Sequence, residues 1–268
     1  MSKLRMLQGY ISYYLKAKNY RNVQSSVFKT FAESILEDQR DFYAFDEIEA
    51  LRHLLLKDRN TIQVTDFGAG SQVHTTNERQ IRRMAQHSIT RPAFCELLFR
   101  IINHYKPKTI LELGTSLGIS TLYQSFAALN SQIITIEGCP NIAARAKQHF
   151  ELLGVKNIHS VVGRFEDQLP KILAQLLQLD FVFFDGNHQK TATLDYFKTC
   201  LKKAHADSVF VLDDIHWSSE MEAAWEQIKA HPEVSHSIDL FFFGIVFFKA
   251  TASQKEHAVL IPSRWKPF

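Results

Sequence analysis

The segment from Thr109 to Tyr123, Thr-Ile-Leu-Glu-Leu-Gly-Thr-Ser-Leu-Gly-Ile-Ser-Thr-Leu-Tyr, constrains this chain more than any other. It reads as a buried strand, a glycine turn and a helix start in immediate succession. Ile110, Leu111 and Leu113 form the short apolar run of a parallel strand covered on both faces. Gly114 and Gly118 let the backbone turn tightly and approach a ligand. Ser120 or Thr121 then opens a helix. Free N–H groups at a helix start attract anions, so the turn predicts a ligand with a negatively charged end.

The next strand narrows the ligand. Gln132 to Ile136 is a second apolar run, and it ends in Glu137. An acid about 20 positions beyond the glycine turn, at the tip of the following strand, is placed to accept hydrogen bonds from ribose hydroxyls, and it repels a 2′-phosphate. The spacing Gly-x-x-x-Gly differs from the Gly-x-Gly-x-x-Gly that seats a dinucleotide pyrophosphate.

With Glu112, Gly114, Gly118 and Ser120 in the pattern Glu-x-Gly-x-x-x-Gly-x-Ser, the chain resembles the class I S-adenosylmethionine-dependent methyltransferases, most closely small-molecule O-methyltransferases of the catechol type. The resemblance covers roughly residues 90 to 250. It implies that the turn, with Glu112, Gly114, Thr115, Ser116, Gly118 and Ser120, holds the methionine end of S-adenosylmethionine. It further implies that Glu137 and Gly138 hold the ribose, that Phe165 and Glu166 in Val162-Gly-Arg-Phe-Glu-Asp-Gln168 meet the adenine, and that Asp185 adds a cofactor contact. Glu166 alone reads equally as a helix-start acid favoured by the helix dipole.

Substrate chemistry in an open α/β sheet belongs at the carboxyl ends of the strands. Strand four ends Phe-Asp185-Gly-Asn-His188 and strand five ends Leu-Asp213-Asp214-Ile-His216-Trp217. The resemblance makes Asp185, Asp213 and Asp214 ligands of a divalent cation, magnesium, calcium or manganese, although the family usually carries asparagine where Asp214 stands. Helix capping is the alternative role for these acids. Methyl transfer to a hydroxyl needs a proton acceptor, and an ordinary imidazole titrates near neutral pH. His188 is the expected base, with Lys190 and His216 as rivals. Trp217 is a candidate wall for an aromatic acceptor, whereas Phe241 to Phe248 read as core.

With 268 residues and 46% hydrophobic content, the chain can bury one large core or one core and an accessory lobe. No run approaches a transmembrane helix, and the first residues lack a signal-peptide pattern, which points to a cytoplasmic protein. Cys95, Cys139 and Cys200 have no metal spacing and read as buried thiols. Lys3, Arg5, Lys16, Lys18, Arg21 and Lys29 stand in the first 30 residues without one acid. Leu4, Leu7, Ile11, Tyr14 and Leu15 recur there at helical spacing. Such a helix packs on its own domain or on a second subunit, giving a homodimer through the N-terminal helices, or it meets an anionic membrane or an acidic partner.

The expected organisation is an all-helical N-terminal region, 1–105, followed by a methyltransferase domain, 106–268. Helices are expected near 2–17, 25–37, 45–57 and 78–104, the last opened by Asn77 and interrupted near Pro92. Strands at 110–113, 133–136, 158–162, 181–184 and 209–212 alternate with helices, as in a doubly wound, mostly parallel α/β fold. The runs 238–243 and 245–248 leave no room for a crossover helix and must pair antiparallel, giving a seven-stranded Rossmann-like sheet. A second glycine turn around Asp66, Gly68, Gly70 and Ser71 lacks a packed helix and a following acid, and reads as a connector or a functional lid.

The expected activity is therefore S-adenosylmethionine-dependent methylation of a small-molecule hydroxyl, with or without magnesium. A nucleic-acid methyltransferase is the first alternative, and the absence of an Asp/Asn-Pro-Pro-aromatic turn after strand four disfavours it. An NAD-dependent oxidoreductase is the second, disfavoured by the glycine spacing.

Overall fold

The structure is a computed structural model that describes residues 3–65, 78–248 and 255–267. In chain order its elements are α1 (Lys3–Lys16), α2 (Ser26–Phe31), α3 (Tyr43–Lys57), β1 (Thr61–Gln63), β2 (Glu78–Gln80), α4 (Ile81–His87), α5 (Pro92–Tyr105) and β3 (Thr109–Leu113). There follow α6 (Ile119–Ala127), β4 (Gln132–Glu137), α7 (Pro140–Leu152), β5 (Ile158–Val162), α8 (Phe165–Gln175), β6 (Phe181–Phe184) and α9 (Lys190–Leu201). The chain ends with β7 (Val209–Leu212), α10 (Ser219–Ala230), β8 (His236–Asp239), β9 (Gly244–Phe247) and β10 (Glu256–Val259). These form two compact units, Arg40–Leu177 and Met1–Gln39 with Gln178–Phe268.

The unit Arg40–Leu177 is built on parallel strands in the order β3, β4, β5, with Ile110 opposite Ile133 and Ile133 opposite Ile158. Apolar residues on α3, α5, α6 and α7, among them Ile48, Phe99, Tyr123 and Phe150, close over one another in a single core. The expected helix over 78–104 is broken in two. The residue before a proline is driven out of the helical region, and Arg91, at φ −62° and ψ 150°, is extended ahead of Pro92, which takes the first position of α5. Residues 78–80 pair as β2 with β1, a short antiparallel ladder the sequence did not suggest. Asn77, the expected cap, lies outside the described residues.

In the other unit the strand order is β10, β8, β9, β7, β6. β6 and β7 run parallel with Phe183 opposite Val211, and every residue of both is buried. The two C-terminal aromatic runs pair antiparallel as expected, with Ile238 opposite Ile245, and β9 also runs antiparallel to β7. At Gly244 a side chain would come within 2.8 Å of the Trp225 ring, so the glycine lets α10 lie directly on the strand. β10, parallel to β8, was not anticipated and brings these parallel-based strands to eight in place of the seven expected. Its run Glu-His-Ala-Val carries too little apolar alternation to announce a strand. The N-terminal helices divide: α1 and α2 belong with the C-terminal strands, and α3 to α5 with the glycine turn.

Candidate active site

The glycine turn follows from local chemistry. Gly114 has φ 107° and Gly118 φ 81°, and Ser116 between them is also left-handed at 49°. A Cβ on Gly118 would stand 2.5 Å from the Phe150 ring, so this glycine brings the start of α6 against α7. The Gly114 N–H donates to the Ile136 carbonyl at 3.0 Å, locking the turn to the next strand.

Glu112 is fully buried. Its carboxylate accepts hydrogen bonds from the hydroxyls of Ser120 (2.7 Å), Thr121 (2.5 Å) and Thr135 (2.6 Å) and from the Gln124 amide. Four donors on α6 and β4 thus converge on one acid, which fixes where the helix begins behind the turn. The Thr115 hydroxyl is 2.6 Å from that of Thr135 and is equally enclosed.

Glu137 sits half-buried at the tip of β4. Its carboxylate accepts the backbone N–H of Ser116 at 2.9 Å and of Cys139 at 3.0 Å, one on each oxygen. Its own carbonyl accepts the Gly163 N–H at 2.9 Å. The structure therefore joins the glycine turn, Glu137 with neighbouring Gly138, and the loop before α8. Phe165 and Glu166 open α8, and Glu166 is exposed, 3.6 Å from Arg164. The cradle also contains a residue that sequence reading passed over. His149 places Nδ1 2.8 Å from the Leu117 carbonyl, and burial lowers its proton affinity.

The acidic strand tips lie in the other unit. Asp185 follows β6, and the left-handed Asn187 (φ 52°) turns the chain so that His188 faces back. His188 Nε2 lies 3.8 Å from Asp185 and 4.0 Å from Asp214. A cleft lined by Phe184, Gly186, Thr193, Tyr196 and Met221 lies beside that imidazole. Asp214 is left-handed at 55° and donates its N–H to the Asp213 carboxyl at 2.8 Å. Burial, reinforced by the charges of Asp185 and Asp214, raises the Asp213 pKa well above the ordinary carboxylate range. Its carboxyl is also hydrogen-bonded to Asp185. Among the described residues, no group of three or more histidine, cysteine, aspartate or glutamate side chains is gathered so as to hold a metal ion. The three aspartates come together at these strand tips, with Asp213 beside both Asp185 and Asp214.

Lys190 begins α9 with its backbone N–H directed to Glu220 at 3.3 Å. His216 is occupied on both nitrogens, by Asp239 at 2.8 Å and Glu222 at 3.7 Å. Burial opposes its protonation, yet Asp239 and Glu222 outweigh that and raise its pKa. Asp239, within an aromatic run, was not singled out from sequence; a charged residue inside a buried strand was the available signal. Trp217 is 40% exposed, while Phe241, Phe243, Phe247 and Phe248 are buried in the core as expected. Asp66 and Ser71 lie outside the described residues.

Residues 111–215 match the family model described as a methyltransferase domain. Among curated relatives, the chain is 28% identical over 140 residues to O-methyltransferase hkm8 of Aspergillus hancockii, covering 50% of this chain and 54% of that protein. It is 29% identical over 125 residues to a catechol O-methyltransferase of Niastella koreensis, covering 46% and 54%. The match thus spans about half the length of these relatives. Among solved structures, the O-methyltransferase from Bacillus cereus in complex with SAH aligns with a TM-score of 0.57 at 16% identity, over 83% of this chain and 97% of that one. Residues 111–215 are thus similar to a methyltransferase domain, and the relatives matched in sequence are O-methyltransferases.

Proposed function

We propose that this protein transfers the methyl group of S-adenosylmethionine to a hydroxyl of a small-molecule acceptor. The observation that carries this reading is the Glu137 carboxylate, tied to the glycine turn through Ser116 at the tip of β4. Gly114, Thr115 and Ser116 would hold the methionine end, Glu137 and Gly138 the ribose, and Phe165 with Glu166 the adenine. Glu112, Gly118 and Ser120 act one step back, setting the position of the turn. When bound, the cofactor supplies an electrophilic methyl on a positively charged sulfur.

His188 would take the acceptor hydroxyl proton. Its place between Asp185 and Asp214 supports this, because two carboxylates stabilise the imidazolium that results. Lys190 is not needed for that step. In this reading Asp185 contributes as the neighbour of His188.

A second reading adds a divalent cation at Asp185, Asp213 and Asp214, supported by the hard-oxygen chemistry of the set. Burial raises the Asp213 pKa, so cation binding there would favour loss of its proton. Transfer of labelled methyl from S-adenosylmethionine to a panel of catechols, phenols and aliphatic alcohols, in chelator and in magnesium, tests both. Transfer that survives chelation and is lost in His188→Ala supports the first reading. Transfer abolished by chelator and restored by magnesium supports the second.

A further inference from the structure

Helix α1 carries two apolar faces. One is satisfied: Tyr13 and Ala17 are buried against Phe241 and Ile261, with Met6, Tyr10 and Tyr14 packed beside them. Its end is held by Lys266, whose ammonium donates to the Tyr14, Leu15 and Ala17 carbonyls at 2.6, 3.3 and 2.8 Å. The other face is bare. Leu7, Ile11 and Leu15 are 55, 50 and 73% exposed, and their spacing of four residues lines them up along one side of the helix. Single exposed leucines are ordinary, but three in register on a firmly docked helix form a stripe left exposed among the described residues.

The stripe ends at a groove of about 420 Å3, lined by Lys16, Lys18, Val23, Gln24, Ser25, Phe28 and the β10 residues Glu256 to Val259. Lys16 and Lys18 are exposed, and no acid stands in the first 30 residues to neutralise them. Among the described residues of the lining Glu256 is the opposing charge, and it lies 3.9 Å from His236. An exposed aliphatic stripe that leads into a lysine-lined groove matches an interface with an apolar layer beside a layer of anions.

We propose that α1 lies in the surface of an anionic lipid bilayer, with Leu7, Ile11 and Leu15 in the acyl boundary and Lys16 and Lys18 on the lipid phosphates. A second copy of the chain fits less well. An apolar pairing of two α1 helices would supply no layer of anions for Lys16 and Lys18, whereas an anionic bilayer does. The geometry is that of a helix lying on the membrane, since no described helix is long and apolar enough to cross one.

Vesicle flotation with the full chain tests this, using phosphatidylcholine alone and phosphatidylcholine with about 30% phosphatidylglycerol. The protein should float with the anionic vesicles only. Leu7→Gln/Ile11→Gln/Leu15→Gln and Lys16→Glu/Lys18→Glu should each weaken flotation by about tenfold or more, with unchanged melting temperatures because all five residues are exposed. Absence of flotation, or flotation indifferent to both variants, overturns the proposal. So does a dimer in sedimentation that the leucine variant converts to monomer without any vesicle binding, which would make the occupant a second copy. Calorimetric binding of glycerol phosphate with no vesicle binding overturns it in favour of a soluble anion.

Discussion

The Glu137 carboxylate accepts the Ser116 N–H at 2.9 Å, so the tip of β4 is tied to the glycine turn that follows β3. One side chain thereby does two tasks: it shapes the turn and presents oxygen to the space above it. Substitution of Glu137 should affect ligand binding more than stability, because the turn keeps its backbone bonds to Ile136.

The two left-handed glycines at helix ends should respond differently to alanine. Gly118 has φ +81° and would place its Cβ 2.5 Å from Phe150, whereas Gly154 has φ +68° with nothing within 4 Å. Gly154→Ala should cost about 1 kcal/mol, the price of a left-handed alanine. Gly118→Ala adds overpacking and should cost about 2–4 kcal/mol in all. Urea unfolding of the two variants checks this, and equal losses would remove the steric role of Phe150.

His149 should weaken the protein in acid. Burial lowers its folded-state pKa, so as pH falls the unfolded chain takes up the proton first. The neutral imidazole's contribution is complete above the ordinary histidine value, about 6.5, and is lost below it. His149→Gln should flatten the fall in melting temperature between about pH 7 and pH 5. An unchanged acid slope would show that His149 does not report on the fold in this range.

Asp213 carries the opposite sign. Its raised pKa favours the protonated carboxyl, so its contribution is full below the ordinary carboxylate range and is lost as pH rises through the raised value. Asp213→Asn keeps the shape without the charge and should raise stability at neutral pH by about 1–2 kcal/mol, with the gain vanishing in acid. A destabilised variant at neutral pH would argue that the acid is held ionised, as a metal-bound carboxylate is.

Much of this fold was legible before the structure because its strands are unambiguous. Ile158–Val162, Phe181–Phe184 and Val209–Leu212 were bounded correctly, since apolar runs that short between turn residues admit little else. Glu137 was legible from its spacing to Gly114. What escaped notice depends on partners distant in sequence. β1 and β2 are strands only because each pairs with the other. The Glu112 carboxylate became a structural hub through Thr121, Gln124 and Thr135, whose hydroxyls and amide carry no motif. The pairing of His216 with Asp239, on another strand, is of the same kind.

Calorimetric titration with S-adenosylhomocysteine, NAD and NADP tests the central claim most directly. The account predicts that S-adenosylhomocysteine binds, that NAD and NADP do not, and that Glu137→Ala weakens binding by about 1–3 kcal/mol while the melting temperature of the free protein holds. Binding of NAD in place of S-adenosylhomocysteine, or S-adenosylhomocysteine affinity unchanged in Glu137→Ala, would contradict it.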